Sequence, residues 1–148
     1  MKKSFLVWST CIMFCQVAFA EEIKTKQEEF PKKEMLKQNK EIVKLSSEEI
    51  SKTLPQKIDK YTTLMKVEGK ENRLLYTFEI NTGAKSDEAI QKEDRSRMKK
   101  AVTKGVCQSS WKFIEAQIDI SYIYISALSK AELFRFDITK NECPIRER

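Results

Sequence analysis

Four short segments of this chain alternate apolar and polar residues, and they occur in two pairs. The clearest runs from Arg73 to Ile80, where Leu74, Tyr76 and Phe78 point one way and polar residues mostly point the other. A period of two is typical of a strand with one face buried and one face in water. Polar segments separate the members of each pair, so each pair predicts a β-hairpin.

The two predicted hairpins frame the fold. The first joins Tyr61–Val67 to Arg73–Ile80, with Thr63, Met65 and Val67 on one face of its first strand. The second joins Ile118–Ile125 to Glu132–Thr139 around a turn at 127–131. Aromatic residues on these strands are predicted to be core. Ile123 and Ile125 lie on the strand face that is expected to be exposed to solvent. This predicts that the sheet is either covered on both faces or has one adhesive face.

Helices are predicted between and before the hairpins. Ser86 or Asp87 caps a helix that runs to about Cys107, with an apolar stripe in its second half. Residues 109–117 form a short helical turn or a loop. Upstream, Ser46 and Glu49 make a capping-box pattern that opens a short helix ending at Leu54-Pro55.

This order predicts an α+β fold: helix–hairpin–helix–hairpin, an antiparallel four-stranded sheet with helices mainly on one face, and one disulfide. The compact domain spans 45–143, and 144–148 form a tail. The charged segment 21–44 is flexible or helical, with a tail at Glu21–Phe30 and a helix at Lys32–Lys44 that Pro31 begins. It serves either as a solvated spacer or as an arm that docks a partner.

The first twenty residues have the layout of a signal peptide. Lys2 and Lys3 precede an apolar stretch that ends in Ala18-Phe19-Ala20, so cleavage is predicted between Ala20 and Glu21. An uncleaved membrane anchor is the alternative, but the apolar stretch is short for a span of about 20 residues. The residues before Cys11 and Cys15 are not small, which argues against a lipoprotein. The predicted location is the periplasm or the extracellular medium, with no integral membrane segment after cleavage.

Two cysteines remain after cleavage, Cys107 and Cys143. In an exported chain such a pair predicts a disulfide. A bridge across this loop stabilises the fold by about 4 kcal/mol in the chain-entropy model. A catalytic thiol is the alternative, but neither cysteine belongs to a C-x-x-C motif.

Histidine is absent from all 148 residues. That excludes Ser-His-Asp and Cys-His relays and histidine-ligated metals. No phosphate-binding or nucleophile-elbow motif is present either. Asp119 and Asp137 are candidate neighbours across the second hairpin, as an acid–base pair or, more simply, as members of a salt bridge. We therefore predict a chain without catalytic residues, cofactor or metal.

The formal charge is +6, and cations concentrate on the long helix. The candidate interaction surface comprises Lys92, Arg95, Arg97, Lys99 and Lys100, with Lys104 beyond it. Acidic residues precede these cations, an order that complements the helix dipole and favours an ordinary solvated face. For an exported chain, an anionic ligand would be a membrane surface or the cell envelope rather than nucleic acid.

From Leu54 onward, about ninety residues resemble a loose group of small exported bacterial proteins of mostly unassigned function. The matching residues are Leu54-Pro55, Asp59, Thr62, Thr63, Tyr76, Phe78, Cys107, Tyr122, Tyr124, Ile138 and Cys143. The layout also resembles the disulfide-bonded, pilotin-like proteins of the periplasm, which help to place secretion components in the outer membrane. The resemblance implies a structural role for the cysteine pair and the strand aromatics, and it supplies no functional residue.

Three functions follow as hypotheses. The first is a non-enzymatic periplasmic or secreted interaction protein, an accessory of a secretion, pilus or virulence system that binds another envelope or secreted protein through a sheet edge or the charged arm. The second is an inhibitor or immunity protein against an exported hydrolase or toxin. The third is an enzyme that uses paired carboxylates, or Tyr and Lys. A homo-oligomer is left open.

Overall fold

A computed structural model describes the backbone of residues 18–143 and the side chains of residues 32–143. The chain divides into two compact units, Met1–Met35 and a second that begins at Leu36. In the first unit, the described residues are helical and belong to α1 (Ala18–Ser51). In the second, a mixed sheet carries helices on one face.

Helix α1 continues through two positions where the sequence suggested a boundary. It includes Glu21–Phe30, expected as a tail, and it passes Ser46, expected as a cap. Lys and Glu have high helix propensity, so this segment is helical without an apolar stripe. The compact domain was expected to begin at residue 45, but Asn39 and Val43 are already buried. Packing of the helix therefore extends the core upstream of that boundary.

The predicted long helix is interrupted. It comprises α2 (Asp87–Gln91), capped by the Ser86 side chain, and α3 (Ser96–Ser109). Between them Asp94 accepts the Ser96 backbone N–H at 2.9 Å and the Ser96 hydroxyl at 3.0 Å. A short acidic side chain that bonds nearby backbone competes with helix continuation. The expected helical turn at 109–117 is α4 (Trp111–Glu115), and a 3₁₀ helix follows at Lys140–Glu142.

The sheet has five strands in the order β1-β2-β3-β4-β5. They are β1 (Gln56–Lys57), β2 (Thr62–Lys70), β3 (Arg73–Ile80), β4 (Asp119–Ser126) and β5 (Glu132–Ile138). Both hairpins are present, but β3 and β4 pair in parallel, so the predicted antiparallel four-stranded sheet was wrong. The helical connection α2–α4 returns the chain to the start of β3, which permits parallel pairing. Alternation within a strand carries no information about direction.

A β-bulge lies in β2 between Leu64 and Lys66. Leu64 and Val67 therefore share the buried face, while Met65 is exposed. The prediction that Met65 shares a face with Val67 was wrong, because the extra residue of a bulge changes which side chains face the core.

The core lies between one face of the sheet and the helices. Val43 of α1, Val106 of α3 and Ile114 of α4 belong to the same buried cluster as Leu74 and Ile120 of the central strands. The strand aromatics continue this face in a connected row: Tyr76, Phe78, Tyr122, Tyr124, Phe134 and Phe136. Offset and tilted ring contacts add stability beyond the buried area.

A disulfide joins Cys107 of α3 to Cys143, with the two Cα atoms 5.5 Å apart. It connects the end of the helix layer to the segment that follows the last strand. The predicted disulfide between these two cysteines is confirmed.

At Gly69 of β2, helix α1 lies close to the sheet. A Cβ atom there would lie 2.8 Å from Val43 Cγ1 and 2.9 Å from the Val43 carbonyl oxygen. The glycine is therefore required for the helix to pack on β2, because any side chain would meet backbone that cannot yield.

Candidate functional site

The sheet face away from the helices carries an apolar centre. Side chains on this face alternate with the core residues, and Leu75, Thr77, Ile123 and Ile125 are each half-buried. The parallel register places Thr77 directly beside Ile123. We call these four residues the open face. The sequence left open whether the face that carries Ile123 and Ile125 is covered by helices. Within the compact unit it is not covered by the core helices, because these pack on the opposite side.

Charged residues surround the open face and pair with one another. The Arg73 guanidinium lies 3.0 Å from a carboxylate oxygen of Asp119 and 3.0 Å from one of Asp137. Ser121, which is fully buried, donates its hydroxyl to the same oxygen of Asp137. Asp119 and Asp137 thus meet, as the sequence suggested, but they meet around an arginine.

Three more ion pairs complete this rim. Lys66 pairs with Glu68 at 2.8 Å, Lys130 with Glu79 at 2.5 Å, and Arg135 with Glu132 at 3.1 Å. Exposed pairs of this kind contribute only about 0–1 kcal/mol each to stability. Their main consequence here is electrostatic, because pairing leaves the net charge around the apolar centre close to zero.

A shallow groove runs across one end of the open face. Its lining includes Glu68, Arg73, Leu75, Ile123 and Arg135. It therefore combines the apolar centre with the paired rim. Apolar contact area rimmed by polar groups is the general anatomy of a protein-binding surface.

Both edges of the sheet are partly closed. Along β2, strand β1 pairs with Thr63 and Leu64, and the Ser51 hydroxyl donates to the Val67 carbonyl at 3.1 Å. Along β5, the Gln91 amide donates to the Glu132 carbonyl at 3.0 Å. A bulge and a covering helix are ways in which proteins prevent strand addition at an edge. The face is therefore a better binding surface than either edge.

Two of the five predicted basic residues have partners within the described part of the chain. Arg95 turns inward, with its guanidinium carbon 4.1 Å from the Phe134 ring centroid and a hydrogen bond to the Glu93 carbonyl. Lys99 lies 3.6 Å from Glu142. Lys92, Arg97 and Lys100 are exposed and have no ion pair among residues 32–143. Lys104, outside the predicted set, is exposed in the same way.

Hydrogen bonds and burial shift the pKa values of several side chains further from neutral pH. A hydrogen bond from Lys85 lowers the pKa of Glu93, and one from Lys40 lowers that of Glu71. Burial raises the pKa of Tyr76 and of Tyr124 to about 12. A general acid or base works best when its pKa is near the operating pH. These four pKa values are shifted away from that range.

The predicted cleavage position, Ala20–Glu21, falls within the backbone of α1. Most of the predicted signal peptide, residues 1–17, lies outside the described part of the chain, so cleavage stays a prediction. Within the described part, no group of three Cys, Asp or Glu side chains is placed to hold a metal ion. No described helix is long and apolar enough to cross a membrane.

Comparison with known sequences identifies the family. The profile of a family described as a domain of unknown function, DUF8479, matches residues 37–134. The chain belongs to this family. The matched region begins at the part of α1 that packs on the sheet and ends within β5, so it contains the open face. No curated protein matches the DUF8479 chain significantly in sequence.

Solved structures show what the fold of this DUF8479 chain is similar to. A "putative secreted protein" of Pseudomonas aeruginosa superposes with a TM-score of 0.65 at 10% identity, covering 74% of this chain and 96% of that one. The pilotin of the Vibrio vulnificus type 2 secretion system gives 0.62 at 11% identity, covering 76% and 98%. The type II pilotin of Vibrio cholerae gives 0.58 at 12% identity, covering 74% and 96%. The suspected pilotin-like layout is therefore present, and at these identities the likeness concerns the fold.

Proposed function

We propose that this chain is an exported, non-enzymatic accessory protein that binds another protein of the cell envelope through the open face. The observation that carries the proposal is the centre of this sheet face, with Leu75, Ile123 and Ile125 beside Thr77, in a domain whose buried residues from α1, α3 and α4 belong to the core on the other face. These side chains are half-buried rather than fully covered, and apolar surface rimmed by polar residues is a mark of an interaction site.

The rim supports a protein partner over a small charged ligand. Arg73 is already engaged by Asp119 and Asp137 at 3.0 Å, so it offers no free charge to an anion. Pre-formed ion pairs also hold their side chains in place, which reduces the entropy lost when a partner covers them. The open face thus favours a partner that contributes apolar side chains and tolerates a neutral rim.

The wider context agrees with an envelope role. The N-terminal sequence predicts export, and the disulfide suits an oxidising compartment. The fold is similar to that of two pilotins of type II secretion systems, and a secretion accessory is the role that this likeness supports. The chain would therefore act by holding a partner in the envelope rather than by turning over a substrate.

Site-specific photo-crosslinking in living cells tests the proposal. A photoreactive amino acid at Thr77 or Ile123 is expected to trap one discrete envelope protein. The matched control is the same amino acid at Lys112, which is exposed on α4 in the helix layer. Equal crosslinking from all three positions, or none from the sheet, would overturn the proposed surface. A trapped exported hydrolase would indicate the inhibitor hypothesis instead.

A further inference from the structure

Helix α3 carries a row of cations on its outer side. Arg97, Lys100 and Lys104 follow the spacing i, i+3, i+7, which places them on one face of a helix. We call them the α3 stripe. Val106, which is 1% exposed, lies on the opposite side of the same helix. The α3 stripe therefore points away from the core and into solvent.

The cations of the α3 stripe lack the ion pairs that the cations around the open face have. Around the open face each of Lys66, Arg73, Lys130 and Arg135 has a carboxylate within 3.1 Å. Along residues 32–143, no carboxylate pairs with the three cations of the α3 stripe, and α3 itself contains no acidic residue. Their mutual repulsion is thus relieved only by solvent and salt.

The break between α2 and α3 makes this arrangement more costly. As one helix, 87–107 would have carried acid at its start and base at its end, in agreement with the dipole. In the structure Asp87 and Glu88 belong to α2, and Arg97 and Lys99 fall in the first turn of α3. Cations near a helix N-terminus are unfavourable. Asp94, which accepts the Ser96 N–H, is the carboxylate bound at this end, and it is two residues upstream.

Arg97 opposes the dipole of α3, and none of the three cations has an ion pair within residues 32–143, so an external anion is the more economical explanation of the row. The groove of the open face includes no residue of α3, and a projecting row of flexible side chains offers no cleft for a peptide. A flat, diffusely charged surface fits such a row better.

We propose that the α3 stripe binds the surface of an anionic lipid bilayer, as a peripheral contact that requires neither insertion nor lipidation. Each cation near an anionic surface contributes about a fivefold gain in binding. Three cations therefore give about a 100-fold preference for anionic over neutral vesicles, and the preference falls as salt shortens the Debye length. The contact uses the helix layer, so it is independent of the partner at the open face.

Vesicle co-sedimentation of the protein purified as cells process it tests this inference. The variant Arg97→Gln/Lys100→Gln/Lys104→Gln is compared with Lys40→Gln/Lys66→Gln/Lys130→Gln, which removes the same charge from cations that have partners. With vesicles of about one third phosphatidylglycerol in phosphatidylcholine, the α3 variant is expected to lose about 100-fold in binding and the control less than about fivefold. Wild-type binding is expected to disappear on pure phosphatidylcholine.

Three outcomes would overturn the inference. They are no binding of the wild type to anionic vesicles, equal losses in the two variants, and binding to polyglutamate without binding to vesicles. The last would assign the stripe to an acidic protein. Crosslinking from Ile123 is measured separately, so failure here and failure of the proposed function are distinguishable.

Discussion

The open face and the α3 stripe lie on different layers of one small domain. They differ in whether their charged side chains are paired. Around the open face, Arg73 is held by Asp119 and Asp137 at 3.0 Å, and the remaining rim is largely paired. On α3, Arg97, Lys100 and Lys104 have no acidic residue of their own helix. A paired rim suits contact with a largely apolar partner, whereas an unpaired row suits an anionic one. This difference is the basis for proposing two surfaces with two kinds of contact.

Removing the disulfide should have the largest effect on both surfaces, because it connects α3 to the end of the sheet. Cys107→Ser/Cys143→Ser is expected to lower the free energy of unfolding by about 4 kcal/mol, from a closed loop of 36 residues. Chemical denaturation under oxidising conditions measures this. A loss below about 1 kcal/mol would mean that the helix layer is held to the sheet by packing alone.

Gly69→Ala should disturb the packing that supports both surfaces. The new Cβ would lie 2.8 Å from Val43 Cγ1 and 2.9 Å from its carbonyl oxygen, so we expect a loss of about 1–3 kcal/mol. The matched control is Gly105→Ala in α3, where no atom lies within 4 Å of the added carbon. That control should gain about 0.5–1 kcal/mol from helix propensity. Equal effects at the two glycines would contradict the close approach of α1.

A pair of arginine substitutions tests the comparison itself. Arg73→Gln leaves Asp119 and Asp137 close together without their cation, and we expect a loss of about 1 kcal/mol after allowance for solvent screening. Arg97→Gln removes a cation that opposes the dipole of α3, so stability should stay within about 0.5 kcal/mol of the wild type or rise. Thermal unfolding of both variants in the same buffer decides between them. A larger loss for Arg97→Gln would mean that the α3 stripe is structural.

A small effect on stability is expected from acidic pH. Hydrogen bonds from Lys40 and Lys85 lower the pKa of Glu71 and Glu93 in the fold. The stability that these carboxylates add is complete above the unfolded value of 4.5 and is lost as pH falls through the lowered values. Without histidine, unfolding should be nearly independent of pH between about 5 and 8. A clear change of stability in that window would contradict this assignment.

Alkaline pH tests whether the tyrosines of the aromatic row are buried, because their pKa values are raised rather than lowered. Burial raises the pKa of Tyr76 and Tyr124 to about 12, so their contribution is complete below the unfolded value of 10.0 and is lost as pH rises toward 12. Ultraviolet absorbance of phenolate, followed with pH in folded and denatured protein, measures the difference. Identical titrations would show that these rings are exposed.

Much of the fold was predictable because its signals are local. The alternation at Arg73–Ile80, the Ser86 cap and the cysteine pair all depend on residues close in sequence or on simple counting. Parallel pairing of β3 with β4 depends on where a 38-residue connection returns, and no residue pattern encodes it. The bulge at Leu64/Lys66 was missed for a similar reason, because it is defined against a partner strand.

The candidate site was predictable only in part. Ile123 and Ile125 on the wet side of a strand were a real signal for the open face. Arg73, which joins Asp119 to Asp137, was missed because it lies 46 residues from the nearer one. Within the predicted basic set, Arg95 packs on Phe134 and Lys99 lies 3.6 Å from Glu142, and no sequence signal indicated either contact. Both partners are distant in sequence, so residue spacing along the helix could not separate the partnered cations from the unpaired ones.

The most direct measurement follows both contacts in the same pair of variants, with envelope partner captured by crosslinking and lipid binding followed by co-sedimentation. Ile123→Glu should abolish partner capture and leave vesicle binding intact, whereas Arg97→Gln/Lys100→Gln/Lys104→Gln should do the reverse. Circular dichroism and unfolding curves confirm that both variants are folded. The account would be contradicted if either folded variant lost both activities, or if partner capture survived a charge at the centre of the open face.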